Sequence, residues 1–516
     1  MLDKIMGLIS LVITVNEMRV LETNTIGLGI PLIRLMEAAG KSVADTIASR
    51  ISPKEADKTV VLMGRGGNGG DSLVASRYLA SKGYHVEIVP AYRPELINHP
   101  DTRENYQIVS RMDSIIIHKP GTIDPIRNAD IIIDGLLGTG VKGSLREPIK
   151  TLVEEANKTN AKLKLAIDTP TGLNPDTGEI HGVAFKADVT VTFHDVKPGL
   201  LKNPDITGEI IVANIGIPPE AQTYVGPGDV LYNIPPRKPD THKGMAGKIA
   251  VIGGSYRFTG APALSGLAAL EAGSDLAFII VPSSVRNIIA SYSPELITLP
   301  YEGEYLEPRH VETILKYIEE IRPHVVVIGP GLGRLPETLE ATKKIIDELL
   351  RRNINLVIDA DALRTIEFGK TIFNGRTVLT PHRGEFKAFT NIALSGKPVE
   401  DMEKVVEAAK TLNATILLKA PIDIISDGYQ IKLNKTGNPY MSIGGTGDVL
   451  TGIVASILAK TNNPFISACV GAYINGLVGD YLLHEKKTVS PINIIKTLNY
   501  VINNPLEIHV KTYLNK

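Results

Sequence analysis

The sequence has a single cysteine and no tryptophan, and aromatic residues make up only 5% of its 516 residues. Because Cys469 has no partner cysteine in the same chain, an intramolecular disulfide framework and a cysteine-based metal cluster are both excluded. Proteins without disulfides are typical of reducing compartments. We therefore expect a cytoplasmic protein.

An excess of charge is also absent, since the formal net charge is −1. No overall basic field would attract nucleic acid or anionic lipid. We find no apolar run that approaches the roughly 20 residues of a membrane span, and we expect no membrane partner. The apolar residues 5–15 lead directly to Glu17 and Arg19 without a small-residue cleavage site. We interpret them as a short extension before the first helix, not as a signal peptide.

What the sequence does contain is an alternation of short apolar runs with helical patterns. The runs are continuous rather than alternating, as is typical of strands that are buried on both faces. In the first half they predict strands at residues 59–63, 86–89, 115–117, 131–134, 163–167 and 189–193. The patterns between them predict helices at residues 17–48, 71–82 and 149–157. This order favours a parallel, doubly wound α/β sheet.

A cluster of glycine and proline residues interrupts this alternation between residues 226 and 247. Such residues break helices and strands, and a chain of this length is expected to form two or three domains. We therefore predict one domain at residues 1–226 and a second α/β domain at residues 227–516. In the second domain, strands are predicted at residues 248–252, 276–281, 325–328, 356–358, 377–379 and 415–419.

The first candidate site is a glycine-rich segment, residues 64–71, which joins a predicted strand to a predicted helix. This geometry can hold a phosphate on backbone N–H groups, although a tight strand-to-helix turn would explain the glycines equally well. Two later strands end in Asp134 and Asp168, each followed closely by glycine. Because ligands of open α/β sheets bind at the carboxyl ends of strands, we expect Asn68, Asp134, Asp168 and Thr171 to share one crevice.

These side chains offer oxygen atoms without histidine or cysteine, which suits a hard cation. Since the set carries few full charges, a monovalent ion such as potassium fits it. A carboxylate that does not bind the ion is then available for acid–base chemistry.

The second candidate site is the segment from Gly444 to Asp448, which precedes an apolar helix. Backbone N–H groups at such a helix start form an anion pocket, and Asp448 would lie at its edge as a base. This pairing indicates phosphoryl chemistry. Asp359 and Asp361 follow another strand, and we expect them to cap the next helix. His382, taken alone, fits an ordinary turn histidine as well as a binding residue.

Several motifs in order resemble two known families. The first half has TVNEMR (14–19), GIP (29–31), LMEAAG (35–40), GNGGD (67–71), GTG (138–140) and DTPTG (168–172). It is similar to the NAD(P)H-hydrate epimerase family. The second half has GPGL (329–332), TPHRGEF (380–386) and GGTGDVLTG (444–452). It resembles the ADP-dependent NAD(P)H-hydrate dehydratases. The order matches the fused bifunctional repair enzymes.

The resemblance implies a Rossmann-like three-layer domain followed by a ribokinase-like domain. It also implies that the first domain epimerises hydrated NADH or NADPH with the help of potassium. The second would dehydrate one epimer with ADP as co-substrate and magnesium as cofactor. We further expect a homo-oligomer.

The implied site residues fall into five groups. The potassium ligands would be Asn68, Asp134 and Thr171. The hydrated dinucleotide would contact Asp168 and Gly67, Asn68, Gly69, Gly70, Asp71, Gly138, Thr139, Gly140, Val141, Lys142, Gly143 and Ser144 in the first domain. It would contact Ala261, Gly331, His382 and Asp448 in the second. The nucleotide would contact Lys419, Ala420, Pro421, Ile422, Asp423 and Gly447. The catalytic residues would be Asp168 and Asp448.

Three positions depart from the families' usual motifs. The first domain has Gly67 where the families usually have a second asparagine, and the second has Arg383 in place of proline and Ala420 in place of glycine. None of these changes removes a charged group that the chemistry needs.

Two alternatives stay open from the residues. The Asp448 segment alone also fits a ribokinase-like kinase of a vitamin or hydroxymethylpyrimidine, although such a kinase would not need the first half. A binding protein with an inactive first half is the other alternative, and the presence of Asn68, Asp134, Asp168 and Thr171 argues against it.

Overall fold

The computed structural model describes residues 12–138, 143–237 and 239–515. Contacts between Cα atoms divide the chain into two compact units at Pro218 and Pro219. Residues just after this division pack in the second unit, where the Val225 N–H donates to the Leu433 carbonyl at 2.8 Å. The assignment of two activities to residues 1–226 and 227–516 stays a prediction.

The first unit is built around a parallel sheet of seven described strands in the order β3-β2-β1-β4-β5-β6-β7. The strands are β1 (Thr59–Met63), β2 (Val86–Pro90), β3 (Ile115–Ile117), β4 (Ile131–Gly135), β5 (Leu163–Ile167), β6 (Val189–Phe193) and β7 (Glu209–Ala213). The described helices are α1 (Val15–Gly27), α2 (Leu32–Ala48), α3 (Gly67–Ser81), α4 (Pro100–Val109), α5 (Asp124–Arg127), α6 (Ile149–Lys158) and α7 (Pro204–Thr207).

The predicted doubly wound sheet is confirmed in this unit, and every strand predicted for it is present. The prediction missed β7, whose residues are mostly not buried, because it lies at the edge of the sheet. The prediction of a single helix at residues 17–48 is wrong, since a short non-helical segment separates α1 from α2. Gly29 there has φ +89°, and Pro31 lacks the N–H that a continuous helix requires.

The second unit contains a sheet of nine described strands in the order β10-β9-β8-β11-β12-β13-β14-β15-β16. Only the pairs β14–β15 and β15–β16 are antiparallel. The strands are β8 (Lys248–Ile252), β9 (Leu276–Pro282), β10 (Leu296–Tyr301), β11 (Val325–Ile328), β12 (Asn355–Ile358), β13 (Thr377–Leu379), β14 (Thr415–Leu418), β15 (Asp423–Ser426) and β16 (Ile431–Asn434).

Helices cover both faces of this sheet, and the strands predicted for it are all present, whereas β10, β15 and β16 were not predicted. The described helices are α8 (Pro219–Thr223), α9 (Pro227–Asn233), α10 (Gly260–Glu271), α11 (Ser283–Ala290), α12 (Val311–Ile321), α13 (Pro336–Arg351), α14 (Arg383–Thr390), α15 (Pro398–Leu412), α16 (Thr446–Thr461), α17 (Pro464–His484), α18 (Pro491–Asn503) and α19 (Pro505–His509). Short 3-10 or π turns complete the described structure.

One described helix, α17, is long and apolar enough to cross a membrane by length and composition. The expectation that no apolar run approaches this length is therefore wrong. In the structure, 83% of its most apolar window is buried. Its side chains, among them Tyr473 and Leu477, pack in the core of the second unit, as expected for a central helix of a globular domain.

The strand ends at the centre of the first sheet approach each other closely. A Cβ added to Gly64, directly after β1, would overlap the carbonyl oxygen of Leu136, directly after β4. A Cβ added to Gly66 would meet nothing within 4 Å. Gly64 is therefore needed for packing, whereas Gly66 faces open space.

We expect Gly64→Ala to destabilise the first unit by about 1–3 kcal/mol or more, because the backbone of the neighbouring strand must shift. Gly66→Ala is the matched control and should change stability much less. Calorimetric unfolding of the two variants and the unchanged protein measures the difference. Equal transition temperatures for both variants would contradict this account of the packing.

Candidate functional site

The site of the first unit lies where the strand order reverses, between β1 and β4, which is the position where open α/β sheets bind ligands. A cavity of about 350 Å³ opens there. Its lining includes Gly67, Asn68, Asp71, Gly138 and Asp168. The structure therefore brings these predicted residues together at one opening.

The remaining predicted residues of this crevice lie differently. Gly69 and Gly70 are buried, and a Cβ on either would collide with neighbouring atoms, so they serve the packing of α3 and do not line the cavity. Helix α3 begins at Gly67, so the predicted loop is its first turns. Thr139, Gly140, Val141 and Lys142 lie outside the described residues, and Gly143 and Ser144 are exposed.

Three hydrogen-bond donors surround the carboxyl group of Asp134 at the end of β4. Thr171 donates to it twice, from its N–H at 2.7 Å and from its hydroxyl at 2.7 Å, and the Leu136 N–H donates at 3.2 Å. Asp134 is fully buried, and burial raises its pKa to about 6 despite these bonds. No described lysine, arginine or histidine pairs with it, so its negative charge lacks a protein cation.

Asn68 adds an amide to the same crevice. Its amide nitrogen donates to the carbonyl of Ile167 at 2.8 Å. Its Oδ1 lies toward Gly138, where a Cβ would stand 2.5 Å away. The lack of a side chain at Gly138 therefore leaves this oxygen accessible from the cavity.

Asp168 follows β5 and forms the main ion pair of the site. Lys197 donates to its Oδ1 at 2.6 Å and is itself fully buried. The Nζ of Lys197 also donates to the Thr192 hydroxyl at 3.0 Å and to the Phe193 carbonyl at 2.9 Å. Asp168 has φ +59°, an uncommon conformation for a residue other than glycine. The lysine thus holds the carboxylate of a residue in the left-handed backbone region at the cavity.

Lys197 and Glu22 are residues of this site that the sequence analysis missed. Lys197 follows β6, so the rule that ligands bind at the carboxyl ends of strands could have identified it. Glu22 lies on α1 and lines the cavity. Only the tertiary structure places it there, because nothing in its local sequence marks it.

In the second unit, the centre of the site is the carboxyl group of Asp359, directly after β12. Lys419 donates to Oδ1 at 2.8 Å and the Thr380 hydroxyl donates to the same atom at 2.7 Å. The Thr451 hydroxyl, on α16, donates to Oδ2 at 3.2 Å. The expected capping role of Asp359 is wrong, because its carboxylate bonds these groups and not the following turn. Asp361 likewise bonds elsewhere, to the Arg334 side chain.

Asp448 lies in the first turn of α16, which begins after Gly445. Gly445 has φ +98°, so the glycine segment makes the sharp bend that exposes the first N–H groups of the helix. Burial and the nearby negative charge of Asp359 raise the pKa of Asp448 to about 7, while Lys419 opposes the shift. Such a carboxyl group can accept a proton near neutral pH.

The predicted nucleotide residues 419–423 lie next to this helix start. A Cβ on Gly447 would stand 3.6 Å from the Nζ of Lys419. The Asp423 carboxylate accepts from the Ala420 N–H at 2.9 Å and from the Asn434 amide at 2.9 Å. Burial raises the pKa of Asp423 to about 6. Asp423 thus fixes the turn after Lys419, in which Pro421 and Ile422 lie between the two strands.

The predicted substrate residues of this unit occupy two places. Gly331, at φ +70°, adjoins Ala261, whose Cβ would lie 3.3 Å from a Cβ on the glycine. His382 caps α14, and its Nδ1 accepts from the Gly384 N–H at 2.9 Å. His382 also lines a separate cavity of about 280 Å³ together with Arg334 and Arg364.

Variants of Asp359 and Asp361 test whether the charge of Asp359 raises the pKa of Asp448. Because Asp359→Asn removes a neighbouring negative charge and frees Lys419, we expect the pKa of Asp448 to fall below about 7. Asp361→Asn, which removes the partner of the exposed Arg334 side chain, is the matched control. Titration of the Asp448 carboxyl group by NMR measures both. An unchanged pKa in Asp359→Asn would show that burial alone sets the value.

The two halves of the chain match different family models. Residues 32–199 match the model described as YjeF-related protein N-terminus. Residues 249–500 match the model described as NAD(P)H-hydrate dehydratase. A solved ADP/ATP-dependent NAD(P)H-hydrate dehydratase from Bacillus subtilis, co-crystallised with ATP and Mg²⁺, aligns with a TM-score of 0.46 and 24% identity, over 55% of this chain and 98% of that chain.

Relatives of known description match almost the entire chain. The bifunctional NAD(P)H-hydrate repair enzyme of Hyperthermus butylicus is 42% identical over 506 residues, which cover 96% of this chain and 93% of the relative. The enzyme of the same description from Pyrobaculum aerophilum is 42% identical over 477 residues, or 91% of this chain and 93% of the relative. The chain therefore belongs to the family of bifunctional NAD(P)H-hydrate repair enzymes.

Proposed function

We propose that this protein repairs hydrated NADH and NADPH in two steps. The first domain exchanges the R and S epimers of the hydrate, and the second converts the S epimer to NAD(P)H with ADP, releasing AMP and phosphate. The observation that carries the proposal is the presence of two acid–base sites in a single chain, one around Asp168 and one around Asp448. The matches of the two halves of the chain to two family models favour repair over the alternative of a vitamin kinase with an accessory domain.

In the first domain, epimerisation needs the hydroxyl group to leave its ring carbon or the ring to open, before the bond forms again with the opposite configuration. The lone pair of the ring nitrogen stabilises the cation that forms. Asp168, which Lys197 orients, is the carboxylate that acts on this ring. The N–H groups at the start of α3 lie beside the cavity and suit the phosphates of the dinucleotide.

In the second domain, the difficulty is that hydroxide is a poor leaving group, because the pKa of water is about 15.7. Phosphate leaves far more easily, since its second pKa is about 6. Asp448 takes the proton of the substrate hydroxyl as its oxygen attacks the terminal phosphorus of ADP, and AMP departs. The phosphate then leaves with its C–O bonding electrons, and loss of a proton from the adjacent carbon restores the ring double bond.

The groups around Asp448 fit this transfer. The first N–H groups of α16 point toward the glycine segment and would donate to the transferred group as charge develops on it. Lys419 supplies a positive charge beside the same helix start. Magnesium, when bound with the nucleotide, would neutralise its phosphates.

Asp134, Asn68 and Thr171 fit a potassium ion in the first domain. They offer a buried carboxylate without a protein cation, an amide oxygen and a hydroxyl oxygen. A bound potassium ion would supply the missing positive charge close to the phosphate-binding end of α3. The site thus combines hard oxygen ligands with a low total charge, as a monovalent cation requires.

The two catalytic assignments predict opposite losses. We expect Asp448→Asn to reduce dehydration by about 10²–10⁴-fold while epimer exchange continues, since an amide cannot accept the proton. Asp168→Asn should reduce epimer exchange and leave dehydration of the S epimer intact. Chromatography of the epimers and absorbance of reduced nicotinamide measure the two steps separately. Dehydration at an unchanged rate in Asp448→Asn would refute the assignment of the base.

Potassium binding predicts a stabilisation that does not depend on activity. We expect potassium chloride, compared with choline chloride at equal ionic strength, to raise the unfolding temperature of the first domain. At a hundredfold excess over Kd, ligand binding contributes about 2.7 kcal/mol. Asp134→Asn should abolish the response, whereas Asp130→Asn, at the other end of β4 and paired with Lys162, should keep it. Equal responses of both variants in calorimetry would contradict the site.

A further inference from the structure

The cavity of the first domain contains acidic groups that the mechanism above does not use. Glu22 from α1 and Asp71 from α3 line it together with Asp168. Neither the Glu22 nor the Asp71 carboxyl group forms a hydrogen bond or an ion pair with the residues that the structure describes. Unpartnered carboxyl groups at a cavity are costly, so they require an explanation beyond packing.

The acidic groups at this cavity differ in how closely a basic group neutralises them. Among the described residues, Lys197 forms its ion pair with Asp168, and Arg19 is the other basic residue that acts on Glu22. Arg65 and His99 also line the cavity. Burial, together with the negative charge of Asp168, raises the pKa of Glu22 to about 7. Burial raises the pKa of Asp71 well above its usual range. The cavity thus combines one carboxylate held by a lysine with two carboxyl groups that retain protons more readily.

We propose that Glu22 is the second catalytic residue of the epimerase site, and that it donates the proton with which the ring hydroxyl departs as water. This inference rests on the proposed epimerase function. Glu22 suits the role better than Asp71 because it is only half-buried, so it can recover its proton from solvent, whereas Asp71 is 8% exposed. A pair of carboxyl groups in different environments is a recurring arrangement for acid and base roles.

The step balances without a further reactant. The proton of the Glu22 carboxyl group moves to the hydroxyl oxygen, and the C–O bond breaks with its electron pair leaving on water. The lone pair of the ring nitrogen forms the C=N bond of a cation, and the Asp168 carboxylate stabilises its charge. Water then adds to the other face of the same carbon and releases a proton to solvent, from which the Glu22 carboxylate recovers its own.

The decisive variant is Glu22→Gln, which keeps the size of the side chain and removes the acid. Glu17→Gln is the matched control, because Glu17 lies on the same helix but only in the capping box with Thr14. We expect Glu22→Gln to slow epimer exchange by at least about 10²-fold, Glu22→Asp to restore part of the rate, and Glu17→Gln to match the unchanged protein. Chromatography of purified R or S hydrate, corrected for exchange without protein, gives the rates.

A pH profile separates catalysis from a structural role. In the unchanged protein, epimer exchange should decline as the pH rises through about 7, because Glu22 then loses the proton that it donates. The residual activity of Glu22→Gln should lack this decline. Calorimetry of the first domain should show that both variants remain folded.

Failure of the inference about Glu22 can be distinguished from failure of the proposed epimerase function. If the unchanged protein exchanges the epimers and Glu22→Gln does so within about threefold of its rate, the inference about Glu22 is overturned. The same holds if Glu22→Gln loses activity but its profile keeps the decline above pH 7, or if Asp71→Asn alone loses exchange. If the unchanged protein itself does not exchange the epimers, the proposed function of the domain fails.

Discussion

Close approach of strand ends, made possible by glycine, is the constraint on which both sites depend. In the first domain, Gly64 lets the end of β1 meet the backbone of Leu136 after β4. In the second, Gly253 does the same between β8 and Pro330 after β11. Each contact lies where the strand order reverses. A side chain at either glycine would overlap the facing backbone and force the two strand ends apart.

The two sites solve a common electrostatic problem in a similar way. Each places a carboxylate at a buried strand end and pairs it with a lysine, Asp168 with the buried Lys197 and Asp359 with the half-buried Lys419. Because removing a charge from water is costly, such pairs require good geometry and further hydrogen bonds. In both sites hydroxyl groups supply those bonds, from Thr192 in the first and from Thr380 and Thr451 in the second.

The pairing has different consequences in the two domains. In the second, burial and then the charge of Asp359 raise the pKa of Asp448, the proposed base, toward neutrality. In the first, the lysine holds Asp168, while Glu22 and Asp71 have no paired cation among the described residues. The two domains thus use similar strand-end carboxylates, one to adjust a neighbouring base and the other as the proposed catalytic group itself.

Much of the fold followed from local sequence. The buried parallel strands were predicted because their apolar runs are continuous, whereas β7, β10, β15 and β16 were missed. Among these, β7 and β10 carry exposed residues, and β15 and β16 form the antiparallel edge of the second sheet. Helix α17 was overlooked as a long apolar segment because small and polar residues such as Gly471 and Asn475 interrupt its hydrophobic residues. Local patterns do not report which elements lie at an edge or at the centre.

The sequence by itself determined the doubly wound fold class, the glycine-rich helix starts that carry Asn68 and Asp448, and the strand-end residues Asp134 and Asp168. These follow from short-range patterns and from the rule that strand ends meet ligands. Only the tertiary structure decided that Lys197 holds Asp168, that Asp359 joins Lys419 to the second site, and that Glu22 faces the first cavity. These partners are distant in the chain or lie in elements without a motif, and folding alone brings their charges within hydrogen-bonding or electrostatic range.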